Sequence, residues 1–103
     1  MSLKVVFMGT PEFAVPSLSE ILSSGYEVVR VYTQPPRPAG RGKSLTKSPV
    51  HQFSEIMGLE VFTPESFRKS SVIDDLEELG ADIACVVAYG QILPQRALSL
   101  IHI

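Results

Sequence analysis

Six consecutive apolar residues, Ile83, Ala84, Cys85, Val86, Val87 and Ala88, constrain the fold more than any other stretch of this chain. A strand with one wet face alternates apolar and polar side chains. A strand without that alternation needs cover on both faces, as in the middle of a parallel sheet flanked by helices. Six residues are also far too few to cross a bilayer, and the first ten residues lack the basic-then-apolar layout of a secretory signal.

The rest of the chain supplies what such a strand requires. Residues 3–8 (Leu-Lys-Val-Val-Phe-Met) form a β-branched and aromatic run stopped by Gly9-Thr10-Pro11, and residues 27–32 carry Val28, Val29 and Val31. Between them Val15, Leu18, Ile21 and Leu22 recur at helical spacing before Gly25, which predicts a helix over about 14–24 with Pro16 in its tolerant first turn. Ser48-Pro49 reads as a cap and first helical residue, and Val50, Phe53, Ile56 and Met57 predict the apolar stripe of a second helix ended by Gly58. Residues 59–62 predict a short third strand and 63–69 a connection. Ser70 or Ser71 is expected to cap a third helix, with Val72, Ile73, Leu76 and Leu79 inward, Asp74, Asp75, Glu77 and Glu78 towards water, and Gly80 at its end. A fourth helix is expected over 92–100, starting near Pro94.

The order β-α-β-loop-α-β-α-β predicts an α/β unit: a Rossmann-like parallel sheet of about four strands, with right-handed crossovers and three to four helices on both faces. A chain of 103 residues has room for one such domain. In sheets of this kind the ligand crevice lies beyond the carboxyl ends of the strands, where the strand order reverses. Three turns share that edge: Gly9-Thr10-Pro11, the segment 33–48 and Tyr89-Gly90-Gln91.

Charge singles out the second of these. From Gln34 to Val50 there are four bases, Arg37, Arg41, Lys43 and Lys47, and no acid; the remainder holds five bases against eleven acids. The segment is sixteen residues long where α/β connections usually run about 2–6. Pro35, Pro36 and Pro38 stiffen its first half, while Gly40 and Gly42 free the backbone on both sides of Arg41. Arginine suits bidentate contact with phosphate or a guanine edge, and the lysines add point charges. No aromatic residue is interleaved, so base stacking is not indicated. Nucleic-acid or polyphosphate binding and a solvated loop remain the two readings of this composition. Gly9-Thr10-Pro11 is likewise either a phosphate-holding turn or a tight strand-to-helix turn; it matches neither common nucleotide-loop fingerprint.

Reactive groups are sparse. His51 and His102 with the single Cys85 offer no metal-ligand spacing, His51 reads as a surface residue, and no Ser-His-Asp set can be assigned. One cysteine excludes an intramolecular disulfide and agrees with a reducing compartment, so the chain is read as cytoplasmic.

Four words then carry a resemblance: V-V-F-M-G-T-P-E-F-A at 5–14, T-Q-P-P-R-P-A-G-R-G-K at 33–43, S-P-V at 48–50 and V-V-A-Y-G-Q-I-L-P at 86–94. In order and spacing the chain resembles the methionyl-tRNA formyltransferase family, and R-P-A-G-R-G is the most specific word. The resemblance implies formyl transfer from 10-formyltetrahydrofolate to the methionine amine of charged initiator tRNA, by an enzyme expected to be monomeric. It implies that Arg41 meets the acceptor-stem end of the tRNA on the Gly40–Gly42 hinge, with Arg37, Lys43 and Lys47 as supports. It implies that Gly90, Gln91, Ile92 and Leu93 line the pterin pocket of the folate.

The family's reactive word, N-x-H followed by S-L-L-P about fifteen residues past I-L-P, is not found here. His102 falls too early, and Leu100 stands where asparagine would be required. In the family, Asn and protonated His steady the oxyanion as the amine attacks the formyl carbon, and an Asp tunes the His; such donors are worth several kcal/mol of barrier. The expectation is therefore the N-terminal half of a formyltransferase domain over 1–96, a non-family tail over 97–103, no catalytic residue, no metal and no activity of its own. The last strand would then keep a hydrophobic edge open to pairing. The alternative from another class is a non-enzymatic nucleotide- or folate-binding Rossmann module.

Overall fold

The computed structural model describes residues 3–39, 42, 44–91 and 93. Ten elements follow one another. Strand β1 (Lys4–Gly9) leads through a single 3-10 turn (Glu12–Ala14) into α1 (Val15–Ser23). Then come β2 (Glu27–Tyr32), the short strands β3 (Arg37–Ala39) and β4 (Ser44–Thr46), α2 (Pro49–Ile56), β5 (Val61–Phe62), α3 (Ser70–Leu79) and β6 (Ile83–Val87). The expected fourth helix and the boundary at 96 lie outside the described residues.

Four strands form one sheet in the order β5-β2-β1-β6, every pair parallel. The chain therefore walks from β1 outward through β2 to β5, then returns to the other side of β1 as β6. Crossovers of one hand must put α3 on the opposite face from α1 and α2 once the direction reverses. The core shows this. Phe7, Leu18, Val31 and Val50 pack on the α1/α2 face, and Val6, Met8, Tyr32, Ile73 and Leu76 on the α3 face. Neighbours in β1 divide between the two faces, so its burial on both sides follows from the period-two geometry of a strand.

The continuous apolar strand has the open edge expected of it among the described residues, while its cover on both faces is only partial. β6 pairs with β1 and ends the sheet among the described residues, and only Ala84 in it is fully buried. The doubly covered central strand is β1, whose β-branched and aromatic run over 3–8 reads as a buried strand from the sequence.

Two helices depart in detail. In α2 the buried residues are Val50 and Ser54, while Ile56 is 81% exposed. At about 100° per residue, positions 50, 53 and 54 share a face and 56 falls outside it; Met57, also expected in the stripe, caps the helix end and is 50% exposed. In α3 the capping position is Lys69, with no side-chain cap, rather than Ser70 or Ser71; the helix ends at Gly80 in the left-handed conformation (φ +61°). Its acids lie exposed, as expected.

Segment 33–48 is not a featureless loop. β3 and β4 pair antiparallel, Arg37 opposite Thr46 and Ala39 opposite Ser44, as a hairpin standing off the main sheet. Pro38 is tolerated because both strands of a two-stranded ribbon are edges, and Gly42 at φ +80° supplies the conformation a tight reversal needs.

Candidate functional site at the strand-order reversal

The reversal lies between β1 and β6, where the connection leaving β1 runs to one face and the connection entering β6 comes from the other. An open cavity of about 460 Å³ occupies that position. Its lining joins all three turns singled out in the sequence: Thr10 after β1, Gln34 and Arg37 from the hairpin's first foot, Lys47 and Ser48 from its second, and Gly90 beyond β6.

Short backbone approaches and hydrogen bonds tie these turns together. Gly9 ends β1, and a Cβ there would meet the Phe7 ring at 2.7 Å and the Val87 carbonyl at 2.8 Å. The turn therefore lies hard against β6. Thr10 Oγ1 donates to the Tyr89 carbonyl at 2.7 Å and accepts from the Gln34 backbone N–H at 3.3 Å. With its hydroxyl engaged in this way, Gly9-Thr10-Pro11 is a strand-to-helix turn that ties strand ends together. Ala88, next along, sits at φ +49°, a conformation that costs a residue with a Cβ about 1–2 kcal/mol. Its strain lies where the chain turns out of β6 into the cavity wall.

The hairpin is held at its feet. Thr33 and Ser48 join hydroxyl to hydroxyl at 2.6 Å, and Ser48 Oγ also accepts from the His51 N–H at 3.1 Å, capping α2 as the Ser-Pro word implied. Above the feet the strands stand exposed, Leu45 and Arg37 included.

The basic residues do not all present bare charge. Lys47 Nζ donates to both carboxylate oxygens of Glu55 at 2.8 and 2.9 Å. That pairing holds the Glu55 carboxyl below its usual pKa and offsets one of the hairpin's positive charges. Sequence reasoning missed Glu55 because it lies on the next helix, eight residues away. Arg37 makes no salt bridge among the described residues. Gly40, Arg41, Lys43 and Ile92 lie outside the described residues, while Gly42 is at the hairpin's turn and Leu93 packs against the α3-side core.

His51 is not a surface residue. Its side chain is 12% exposed, with Nδ1 buried and unpartnered among the described residues and Nε2 3.9 Å from Glu55. Burial is the main cause that pushes its pKa below the usual value, against the pull of Glu55. Burial likewise raises the Cys85 thiol and the Tyr89 phenol above their ordinary values, so neither is primed to react near neutrality. No group of three or more metal-ligating side chains occurs among the described residues. The sequence contains no asparagine.

On the far side of the strip formed by Gly90 and Gln91 lies a second, polar recess of about 290 Å³, lined also by Glu65, Ser66 and Arg68. Gln91 Nε2 donates to the Pro64 carbonyl at 2.7 Å, while its Oε1 is buried without a hydrogen-bond partner among the described residues. The exposed Gly90 thus lines both recesses, and Gln91 the second.

The comparisons with known proteins fit this geometry. The chain is 59% identical over 97 residues to a methionyl-tRNA formyltransferase of Brucella anthropi, covering 93% of this chain and 32% of that protein. It is 52% identical over 100 residues to the protein of the same name from Agrobacterium fabrum, covering 96% and 32%. The chain therefore spans about a third of the length of the curated relatives it matches. A crystal structure of phosphoribosylglycinamide formyltransferase from Anaplasma phagocytophilum superposes with a TM-score of 0.65 at 16% identity, over 96% of this chain and 45% of that one, which shows a shared fold. The sequence model described as formyl transferase matches residues 3–102, and the chain belongs to that family.

Proposed function

We propose that the chain is the N-terminal part, residues 1–96, of a formyltransferase domain that serves methionyl initiator tRNA in the cytoplasm. Its formyl donor is 10-formyltetrahydrofolate and the full enzyme is a monomer. The observation that carries this reading is the cavity at the strand-order reversal, where the foot of a basic hairpin and the Gly90 strip share one wall.

Each half has a chemical logic. Arg37 and Lys47 at the two feet, with Arg41 and Lys43 between them in sequence, give the segment a run of positive charge that suits a phosphate backbone, and Gly40 and Gly42 flank Arg41. The Lys47–Glu55 pair makes Lys47 the weakest contributor of the four. Gly90, Gln91, Ile92 and Leu93 form the donor's wall. A pterin carries ring N–H and amino donors beside a carbonyl acceptor, which suits the backbone groups of an exposed strip. The acceptor amine then enters the 460 Å³ cavity from the hairpin side. Without asparagine, these 103 residues lack the Asn-x-His oxyanion partners, so they bind without transferring.

Calorimetric titration with tetrahydrofolate, nucleotides and initiator tRNA tests the reading. Saturable binding of tetrahydrofolate together with salt-sensitive binding of tRNA is the expected result. Saturable nucleotide binding with no response to tRNA would favour a non-enzymatic nucleotide-binding module instead.

A further inference from the structure

Gln34 stands between the foot of the hairpin and the strip beyond β6, and it is only 8% exposed. Its Nε2 donates to the Gly90 carbonyl at 2.7 Å, and its Oε1 accepts from Gln91 Nε2 at 3.0 Å. Its backbone N–H donates to Thr10 Oγ1 at 3.3 Å, and Thr10 passes on to the Tyr89 carbonyl. One residue therefore touches the turn after β1 and both members of the strip while being covalently part of the hairpin's foot. Gly90 is shaped to this contact. It sits at φ +92°, and a Cβ there would lie 2.7 Å from Gln34 Nε2. The carboxamide occupies the space that any side chain at position 90 would need.

We infer that Gln34 is a positioning residue: it fixes the backbone of Gly90 and Gln91 against the β1 turn and makes the placement of that strip depend on the foot of the basic hairpin. Its functional meaning rests on the strip being the donor's wall, as proposed above. On that reading the two substrate sites share a structural element, so occupancy of one changes affinity at the other, by the same factor in both directions. The clamp itself is independent of which ligand binds.

Replacing Gln34 by Glu keeps the shape and removes the donor. At neutral pH a carboxylate would face the Gly90 carbonyl with no hydrogen to give, and protonation would restore one. In Gln34→Glu at pH 7, backbone ¹⁵N order parameters at residues 90 and 91 should fall from about 0.85 to below about 0.6, with β1 and α3 unchanged. They should recover as pH is lowered through the new carboxyl's titration, whereas the wild-type strip shows no such response. Order parameters in the variant that match wild type at pH 7 would overturn the inference.

Should that variant not fold, a urea double-mutant cycle decides the matter. Gly90→Ala should lower the folding constant several-fold less in a Gln34→Ala background than in wild type, because the clashing partner is gone. Equal losses in the two backgrounds would overturn the clamp. Tetrahydrofolate titration of the wild-type chain is read separately: failure to bind would remove the donor-wall reading, while the order parameters still judge the clamp.

Discussion

His51 shows how a single residue can be misjudged from composition and then tested by acid. Half-buried beside the hairpin's second foot, it resists protonation, so its pKa in the folded chain lies below the unfolded value of about 6.5. The unfolded chain therefore binds the proton more readily, and the sign follows: stability from this group is present above about pH 6.5 and is lost as pH falls through the folded pKa. Urea midpoints measured between pH 7.5 and 5.5 should decline for wild type. The decline should be shallower for His51→Gln, and equal slopes would show that the imidazole is solvated like an ordinary surface histidine. Glu55 complicates the site but does not reverse the sign, because its attraction is outweighed by desolvation.

Among the elements, α2 matters most for the site, since its first turn anchors the hairpin. Ser48 both caps the helix and bonds Thr33, so Ser48→Ala removes two interactions. A loss of about 1–2 kcal/mol in urea unfolding is expected, above that of an exposed serine. The face assignment of α2 makes a second, contrasting expectation. Ile56→Ala should change stability by less than about 0.5 kcal/mol, whereas Leu18→Ala in the buried core of α1 should cost about 2–5 kcal/mol. Comparable losses would restore Ile56 to the core. These elements also show what was legible in advance. β2, the Ser48 cap and the Gly80 stop were readable because each depends on neighbours within a few residues. The hairpin of β3 and β4 was not, since three prolines and two glycines between 35 and 42 hide a pairing that only edge strands permit. Ile56 was misassigned because hydrophobicity was counted without the helical phase.

For the whole molecule, the strand order decides where function can sit. The meeting of three turns at one edge was readable from the β-α-β order and from Gly9, Arg37 and Gly90, because parallel sheets send all strand ends the same way. What the sequence did not disclose was the clamp: Gln34 and Gly90 are 56 positions apart, and nothing local marks a glutamine that reaches a carbonyl across the sheet. Nor did it disclose that Lys47 pairs with Glu55 on the next helix. If the edge binds tRNA, affinity must fall with salt in proportion to the phosphates neutralised, and removing one contacting arginine must flatten that dependence.

The most direct measurement is therefore a salt titration of initiator methionyl-tRNA binding to the 103-residue chain, with Arg37→Ala and Arg41→Ala alongside. The expected result is weaker binding by each variant, with the slope of log K against log salt reduced by about 1 per arginine removed. Wild type and variants with the same weak affinity and the same salt slope would contradict a tRNA-contacting hairpin.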